Sequence, residues 1–264
     1  MKILDQIITE KKSEIKTLRT RFQLRDFGDS VYYNRPVRSL SQALRQSQHL
    51  AIIAEIKKAS PSAGIIRADF DPQKIAGDYE ANGAAAVSVL TDQKFFQGHI
   101  DHLRQLAAGC NLPLLRKDFI LDEYQVFEAR AAGADAILLI AEILSVNQIT
   151  ELTQAASTVN LEVLLEMHST EQLKKIDYMK NRLVGINNRN LDSLSVNTDT
   201  AIQIKELLPA DIVTVAESGI HEKSQLEKIK KSGIDAILVG EHLLRAENPG
   251  RALKKLREWC RYAD

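Results

Sequence analysis

The chain has 264 residues, 44% of them apolar, and its 35 basic side chains balance 35 acidic ones. That apolar content excludes disorder as a whole-chain state. A neutral balance offers no basic face for nucleic acid or an anionic membrane, so the expected partner is a small molecule.

The N-terminus reaches charge at once in Met1-Lys2-Ile3-Leu4-Asp5 and lacks the apolar core of a signal peptide. No apolar run approaches the length of a membrane span. Cys110 and Cys260 are lone thiols outside any CxxC pair, read as filler residues in a reducing compartment. The expectation is a soluble cytoplasmic protein.

In chain order, Met1–Arg19 reads as an amphipathic helix with Ile3, Leu4, Ile7, Ile8, Ile15 and Leu18 on one stripe. Ser39–Gln46 reads as a second short helix. Eight short apolar runs follow: Leu50–Ile56, Ala86–Leu90, Leu114–Arg116, Ala136–Ile140, Leu161–Leu165, Leu183–Ile186, Ile212–Ala216 and Ala236–Val239. Between them lie helix-period segments, among them Asp122–Ala132, Ser145–Thr158, Ser169–Met179 and Glu222–Ser232. Three echoes, beginning at Gly83, Gly133 and Gly233, each carry a helix-ending glycine into a strand. Eight strands alternating with helices predict an α/β fold, a (β/α)8 TIM barrel of about 250 residues. No linker divides it, so residues 1–264 are expected to form one domain, with 1–48 an N-terminal helical extension packed on the barrel.

Side chains alternate across a strand, so parity sorts inward from outward residues. Ala51, Ile53, Glu55 and Lys57 share one face; so do Pro113, Leu115, Lys117 and Phe119. Leu164 pairs with Glu166 in this way, Leu183 and Gly185 with Asn187 and Arg189, and Val213 and Val215 with Glu217. Each set turns polar at its C-terminal end, where barrel active sites are built. A structural plug of ion pairs would explain any one of these residues, but their convergence points to chemistry.

Glu217-Ser218-Gly219 and Val239-Gly240-Glu241 leave the last two strands. Glycines there let backbone N–H groups approach an anion, the usual place for a barrel phosphate site. The loop Lys57–Gly64 carries small residues and a proline, which suits a lid as well as a plain turn.

With these segments in view, the sequence resembles the indole-3-glycerol-phosphate synthase family from end to end. The resemblance is carried by AEIKKASPSAG (54–64), SVLTDQKFFQG (88–98), LPLLRKDF (112–119), LLEMH (164–168), GINNRNL (185–191), VAESGI (215–220) and ILVG (237–240). It implies a carboxy-lyase of tryptophan biosynthesis that converts 1-(2-carboxyphenylamino)-1-deoxyribulose 5-phosphate into indole-3-glycerol phosphate by ring closure, decarboxylation and dehydration. That reaction calls for no metal or organic cofactor.

The resemblance also implies roles. Lys117 is the acid of ring closure, Lys57 holds the substrate carboxylate with Glu55 beside it, and Glu166 is the general acid/base. Asn187 and Arg189 position the substrate, and Glu217 faces the anilino region. Ser60, Ser218, Gly219, Gly240 and the backbone of Glu241 hold the phosphate. Phe96, Phe119, Leu138 and Leu191 cradle the benzene ring. Three positions depart from the family's pattern. Glu241 stands where a serine occurs, so its carboxylate is expected to point away from the ligand. Ala63 replaces a lid lysine, and His242-Leu243-Leu244 replaces a small-residue and methionine pattern. The alternatives are a sibling sugar-phosphate isomerase, which would show a cysteine where strand one has Glu55 and Lys57, and a non-catalytic barrel binding a phosphorylated metabolite.

Overall fold

The computed structural model describes residues 3–190 and 195–262. Eight parallel strands close a barrel: β1 (Ala51–Ile56), β2 (Ala86–Leu90), β3 (Leu114–Lys117), β4 (Ala136–Ile140), β5 (Glu162–Met167), β6 (Leu183–Asn187), β7 (Val213–Glu217) and β8 (Ala236–Val239). Each strand pairs with its neighbours in sequence, and β8 closes on β1. The expected TIM barrel with an N-terminal helix is therefore the observed fold.

Parity holds throughout the interior. Ala51, Ile53, Leu115, Leu164, Leu183, Val213 and Val215 form one inner apolar cluster. Outward residues such as Ile52, Ala54 and Ile56 join a second cluster under the helices. Four strands run beyond the apolar stretches that mark them in sequence. They take in Lys117, Met167, Asn187 and Glu217 at their C-terminal ends. The parallel ladder continues there, with Asn187 opposite Glu217 and Glu166 opposite Gly185. Hydrophobicity ends where the chemistry begins, while backbone pairing does not.

The segment Ser169–Met179 departs from expectation. It forms only a 3-10 turn over Thr170–Lys175. The Asp177 carboxylate accepts the N–H of Met179 at 3.0 Å, a local bond that competes with helix propagation. Lys175 is drawn inward, donating to the carbonyls of Ala141 and Leu144.

The N-terminal segment holds both ends of the barrel. Helix α1 (Ile3–Arg21) lies at the C-terminal mouth, where Ile3, Leu4 and Ile7 line a cavity with Glu55 and Lys117. Helix α2 (Leu40–Arg45) plugs the opposite end, with Leu40 and Leu44 joining the inner cluster. Arg35 and Arg38 reach the buried Asp135 carboxylate, and Ser39 and Ser41 donate to Glu162.

The surprise in α1 is Lys11, 2% exposed on the stripe between Ile7 and Ile15. Its Nζ lies 2.9 Å from Asp118 Oδ1 and 2.7 Å from Glu14 Oε2. Asp92 Oδ2 stands 3.0 Å away, a charge contact without an aligned hydrogen bond. Burial alone would depress this ammonium, but Asp118 and Asp92 outweigh it and hold it above the ordinary lysine range. Burial works against Asp118 likewise, yet Lys11 and Arg116 hold its carboxyl well below the usual range.

Removing one member of a buried charge group leaves the others uncompensated, at a cost of roughly 3–5 kcal/mol. Lys11→Met should therefore lower the free energy of urea unfolding by that order at neutral pH; a loss under about 1 kcal/mol would contradict the clasp. The signs of the shifts set the pH window. Stability from Asp118 is present above the ordinary aspartate range and lost as pH falls below it, whereas that from Lys11 is lost only as pH rises past the ordinary lysine range.

Candidate active site

The mouth of the barrel opens into a cavity of about 800 Å³. Its lining includes Glu55, Lys57, Ser60, Phe96, Lys117, Phe119, Leu138, Glu166, Asn187, Arg189, Glu217, Ser218, Gly219, Gly240 and Glu241. The sequence-derived residues thus converge in one place. Leu191 alone among them lies outside the described residues.

Lys117, at the end of β3, is the hub. Its Nζ donates to Glu166 Oε2 at 2.6 Å and to Glu217 Oε2 at 2.8 Å. Across the mouth, Lys57 Nζ and Glu55 Oε1 pair at 2.7 Å. Asn187 Nδ2 donates to the second oxygen of Glu166 at 3.3 Å, and Asn187 Oδ1 accepts the N–H of Arg189 at 3.0 Å.

Burial opposes the charge on Lys117, but Glu166, Glu217 and Glu55 outweigh it and keep the ammonium above the ordinary lysine range. The two carboxylates respond differently. Burial opposes ionisation of Glu166, yet Lys117 and the neighbouring His168 hold its carboxyl well below the usual range. Burial pushes Glu217 up to about 8; Lys117 pulls against that, and the adjacent Glu166 carboxylate adds to it. Like charges competing for one cation separate in this way. Glu166 is thus the more readily ionised member of the pair and Glu217 the more readily protonated one.

Two glycines make room for these carboxylates. A Cβ on Gly185 would collide with Glu217 Oε1. A Cβ on Gly240 would come 2.5 Å from Glu55 Oε1 and 2.9 Å from its Cβ. Gly240 is thus needed by the charge cluster as well as by any anion near β8.

At one end of the cavity Phe96 and Phe119 stand with ring centroids 6.1 Å apart, beside Leu138. The Lys11 clasp holds the backbone that carries both rings. Asp92 Oδ1 accepts the N–H groups of Phe95 and Phe96, and Asp118 Oδ1 accepts that of Phe119 at 2.8 Å. At the other end lie Ser60, Ser218, Gly219 and Gly240. Ser218 and Gly219 take φ of +66° and +74°, a turn in the left-handed region. Ser60 Oγ accepts the N–H of Ala63 at 3.2 Å inside a short hairpin of Ala59–Ser60 with Gly64–Ile65. Glu241 is engaged by Arg245, whose Nε donates to Oε1 at 2.8 Å, so its carboxylate carries a counter-charge.

Sequence reasoning missed two contributors. Lys11 carried a usable signal, since it falls four residues from both Ile7 and Ile15 on the buried stripe. His168, in the LLEMH segment, has a side chain 7% exposed, and its Nε2 stands 3.3 Å from Glu166 Oε1 without hydrogen-bond alignment. It follows Glu166 on the same strand parity, which is the signal available for it.

The raised Glu217 carboxyl gives a testable stability profile. A group whose folded pKa is raised contributes stability that is complete below its unfolded value and lost as pH rises through the folded one. Urea unfolding should show the wild type losing roughly 2 kcal/mol between about pH 6 and about pH 8 from this group. Glu217→Gln, which resembles the neutral acid in shape, should lack that loss. An identical pH slope in both proteins would contradict the assignment.

The sequence model of the family "Indole-3-glycerol phosphate synthase" matches residues 4–256. An indole-3-glycerol phosphate synthase of Albidiferax ferrireducens is 44% identical over 257 residues, covering 96% of this chain and 97% of that protein. One from Salinibacter ruber is 42% identical over 259 residues, covering 97% and 96%. Among solved structures, the 3-hexulose-6-phosphate synthase of Salmonella typhimurium superposes with a TM-score of 0.64 at 11% identity, covering 80% of this chain and 98% of that one. That likeness concerns the barrel alone. The match along nearly the whole sequence settles the rest: the chain belongs to the indole-3-glycerol phosphate synthase family.

Proposed function

We propose that the charge cluster around Lys117 performs the family's reaction, turning 1-(2-carboxyphenylamino)-1-deoxyribulose 5-phosphate into indole-3-glycerol phosphate. The observation that carries this reading is the placement of a buried ammonium, paired to two carboxylates, between an aromatic wall and a glycine-rich turn. The substrate has the same order of parts: a benzene ring, a reacting carbonyl and a phosphate.

The benzoate ring rests against Phe96, Phe119 and Leu138, and the phosphate lies toward Ser60, Ser218, Gly219, Gly240 and the backbone at Glu241. The ring carbon bearing the carboxylate attacks the ribulose ketone. Lys117 gives a proton to the oxygen as the carbonyl π bond breaks, stabilising charge that develops only in the transition state. Lys57, steadied by Glu55, holds the carboxylate until the bond to carbon dioxide breaks and its electron pair restores the aromatic ring. Hydroxyl then leaves as water, and Glu166 exchanges the protons of this dehydration. Asn187 orients Glu166 and, with Arg189, positions the substrate; Glu217 shares the Lys117 ammonium and faces the anilino group.

In this reading residues 1–48 and the barrel work as one domain, because α1 roofs the cavity and its Lys11 joins the carboxylates that hold the backbones of Phe96 and Phe119. Two buried free thiols suit a reducing compartment, and the cytoplasm is the proposed site of action.

The test is to follow indole fluorescence and carbon dioxide release from the carboxyphenylamino-deoxyribulose phosphate in wild-type and variant proteins. Glu166→Gln should lower kcat by about 10²-fold or more, the usual scale for a lost acid or base. Lys57→Ala should raise KM as well as slow turnover, because a carboxylate contact is lost. Near-wild-type kcat in Glu166→Gln would remove that residue from the chemistry.

A further inference from the structure

The phosphate end of the cavity carries two side chains to which no role has yet been given. His221 follows the Ser218-Gly219 turn, and His242 lies on the short helix α3 (Glu241–Leu244) after β8. Both line the cavity, and their rings face each other across 6.4 Å between centroids at an interplanar angle of 34°.

The loop holding His221 is laced in place. Its Nδ1 lies 3.0 Å from the Gly219 carbonyl, and Gln225 Nε2 donates to the same oxygen at 3.0 Å. Gln225 Oε1 accepts the N–H groups of His221 and Glu222. A carbonyl only accepts, so a neutral His221 ring that keeps this hydrogen bond carries its proton on Nδ1. Nε2 is then left with a lone pair, which repels an anion. Only the imidazolium form presents an N–H from Nε2. With Nδ1 held on the Gly219 carbonyl, contact between Nε2 and a phosphate therefore requires uptake of a proton.

His242 complements it. Burial, His221 and Lys255 of helix α4 (Pro249–Cys260) all disfavour its charged form. A dianion beside the two rings reverses the balance, because mutual repulsion gives way to shared attraction. Two carboxylates also stand near the pair. Glu241 is engaged by Arg245 at 2.8 Å, and Glu222 Oε1 stands 3.8 Å from His221 Nε2 on an exposed side chain.

We propose that His221 and His242 form a proton-linked clamp for the phosphate dianion of the substrate. The proposal rests on the phosphate reading of this end of the cavity. It adds two binding residues from the loop after β7 and the helix after β8, and it makes affinity for the phosphorylated substrate depend on pH through the protein.

Sulfate is the probe, since it stays a dianion across the histidine range and leaves only the protein to titrate. Calorimetric titration of the full chain should show the Kd for sulfate rising about tenfold or more between about pH 6 and about pH 8, with proton uptake on binding. In the His221→Gln, His242→Gln double variant the rise should shrink to less than about twofold over the same range. The same slope in both proteins would overturn the clamp and leave the phosphate reading standing. Sulfate that fails to compete with substrate in either protein would overturn that reading, and the clamp with it. Each single variant, at an exposed position, serves as a folding control and should fall between the two extremes.

Discussion

The constraint on which the rest depends is a single lysine kept charged inside the barrel. Lys117 Nζ has Glu166 at 2.6 Å and Glu217 at 2.8 Å, and all three side chains are largely shut off from water. Taking an ammonium out of water costs several kcal/mol, roughly, and only close opposite charge offsets it. Two carboxylates on one cation then repel each other, so one stays ionised while the other rises towards neutrality. The small residues around the cluster follow from this crowding. Gly185 admits Glu217 and Gly240 admits Glu55, since a Cβ at either position would meet a carboxylate oxygen.

The N-terminal segment is explained by the same logic, one layer out. A barrel mouth open enough to admit substrate cannot bury its own aromatic wall well. Helix α1 roofs it, and Lys11 anchors the roof by joining Asp92 and Asp118, whose carboxylates also hold the backbones of Phe96 and Phe119. At the far end Leu40 and Leu44 of α2 close the interior. The chain thus wraps from mouth to floor, and its charged contacts at Asp135 and Glu162 fix the path between. Arg67, at the base of the hairpin after β1, donates to the carbonyls of Leu244 and Ala246, tying that hairpin to the end of α3.

Much of this was legible in sequence because a strand's period is two. Glu55, Lys117, Glu166, Asn187 and Glu217 each share parity with apolar interior residues, and that alone places them inside one mouth. The strand ends were less legible. Lys117, Met167, Asn187 and Glu217 lie beyond the apolar runs or at their edge, and backbone pairing leaves no mark in hydrophobicity. Lys11 was hidden because a lysine within an apolar stripe reads as a gap, although its partners lie far away in the chain at 92 and 118. The helix expected over 169–179 failed for a local reason, the Asp177 carboxylate capturing a backbone N–H. The separation of Glu166 from Glu217 is a property of three-dimensional crowding, and no spacing encodes it.

The proposed chemistry turns on the Lys117 ammonium supplying the proton for ring closure. The most direct test is single-turnover analysis of Lys117→Ala with the carboxyphenylamino-deoxyribulose phosphate, reading substrate binding and carbon dioxide release in the same experiment. Binding should survive in the variant, while carbon dioxide release slows by about 10²-fold or more, because decarboxylation waits on closure. A wild-type burst of carbon dioxide from the variant would contradict it and move the acid's role to another group in the cavity.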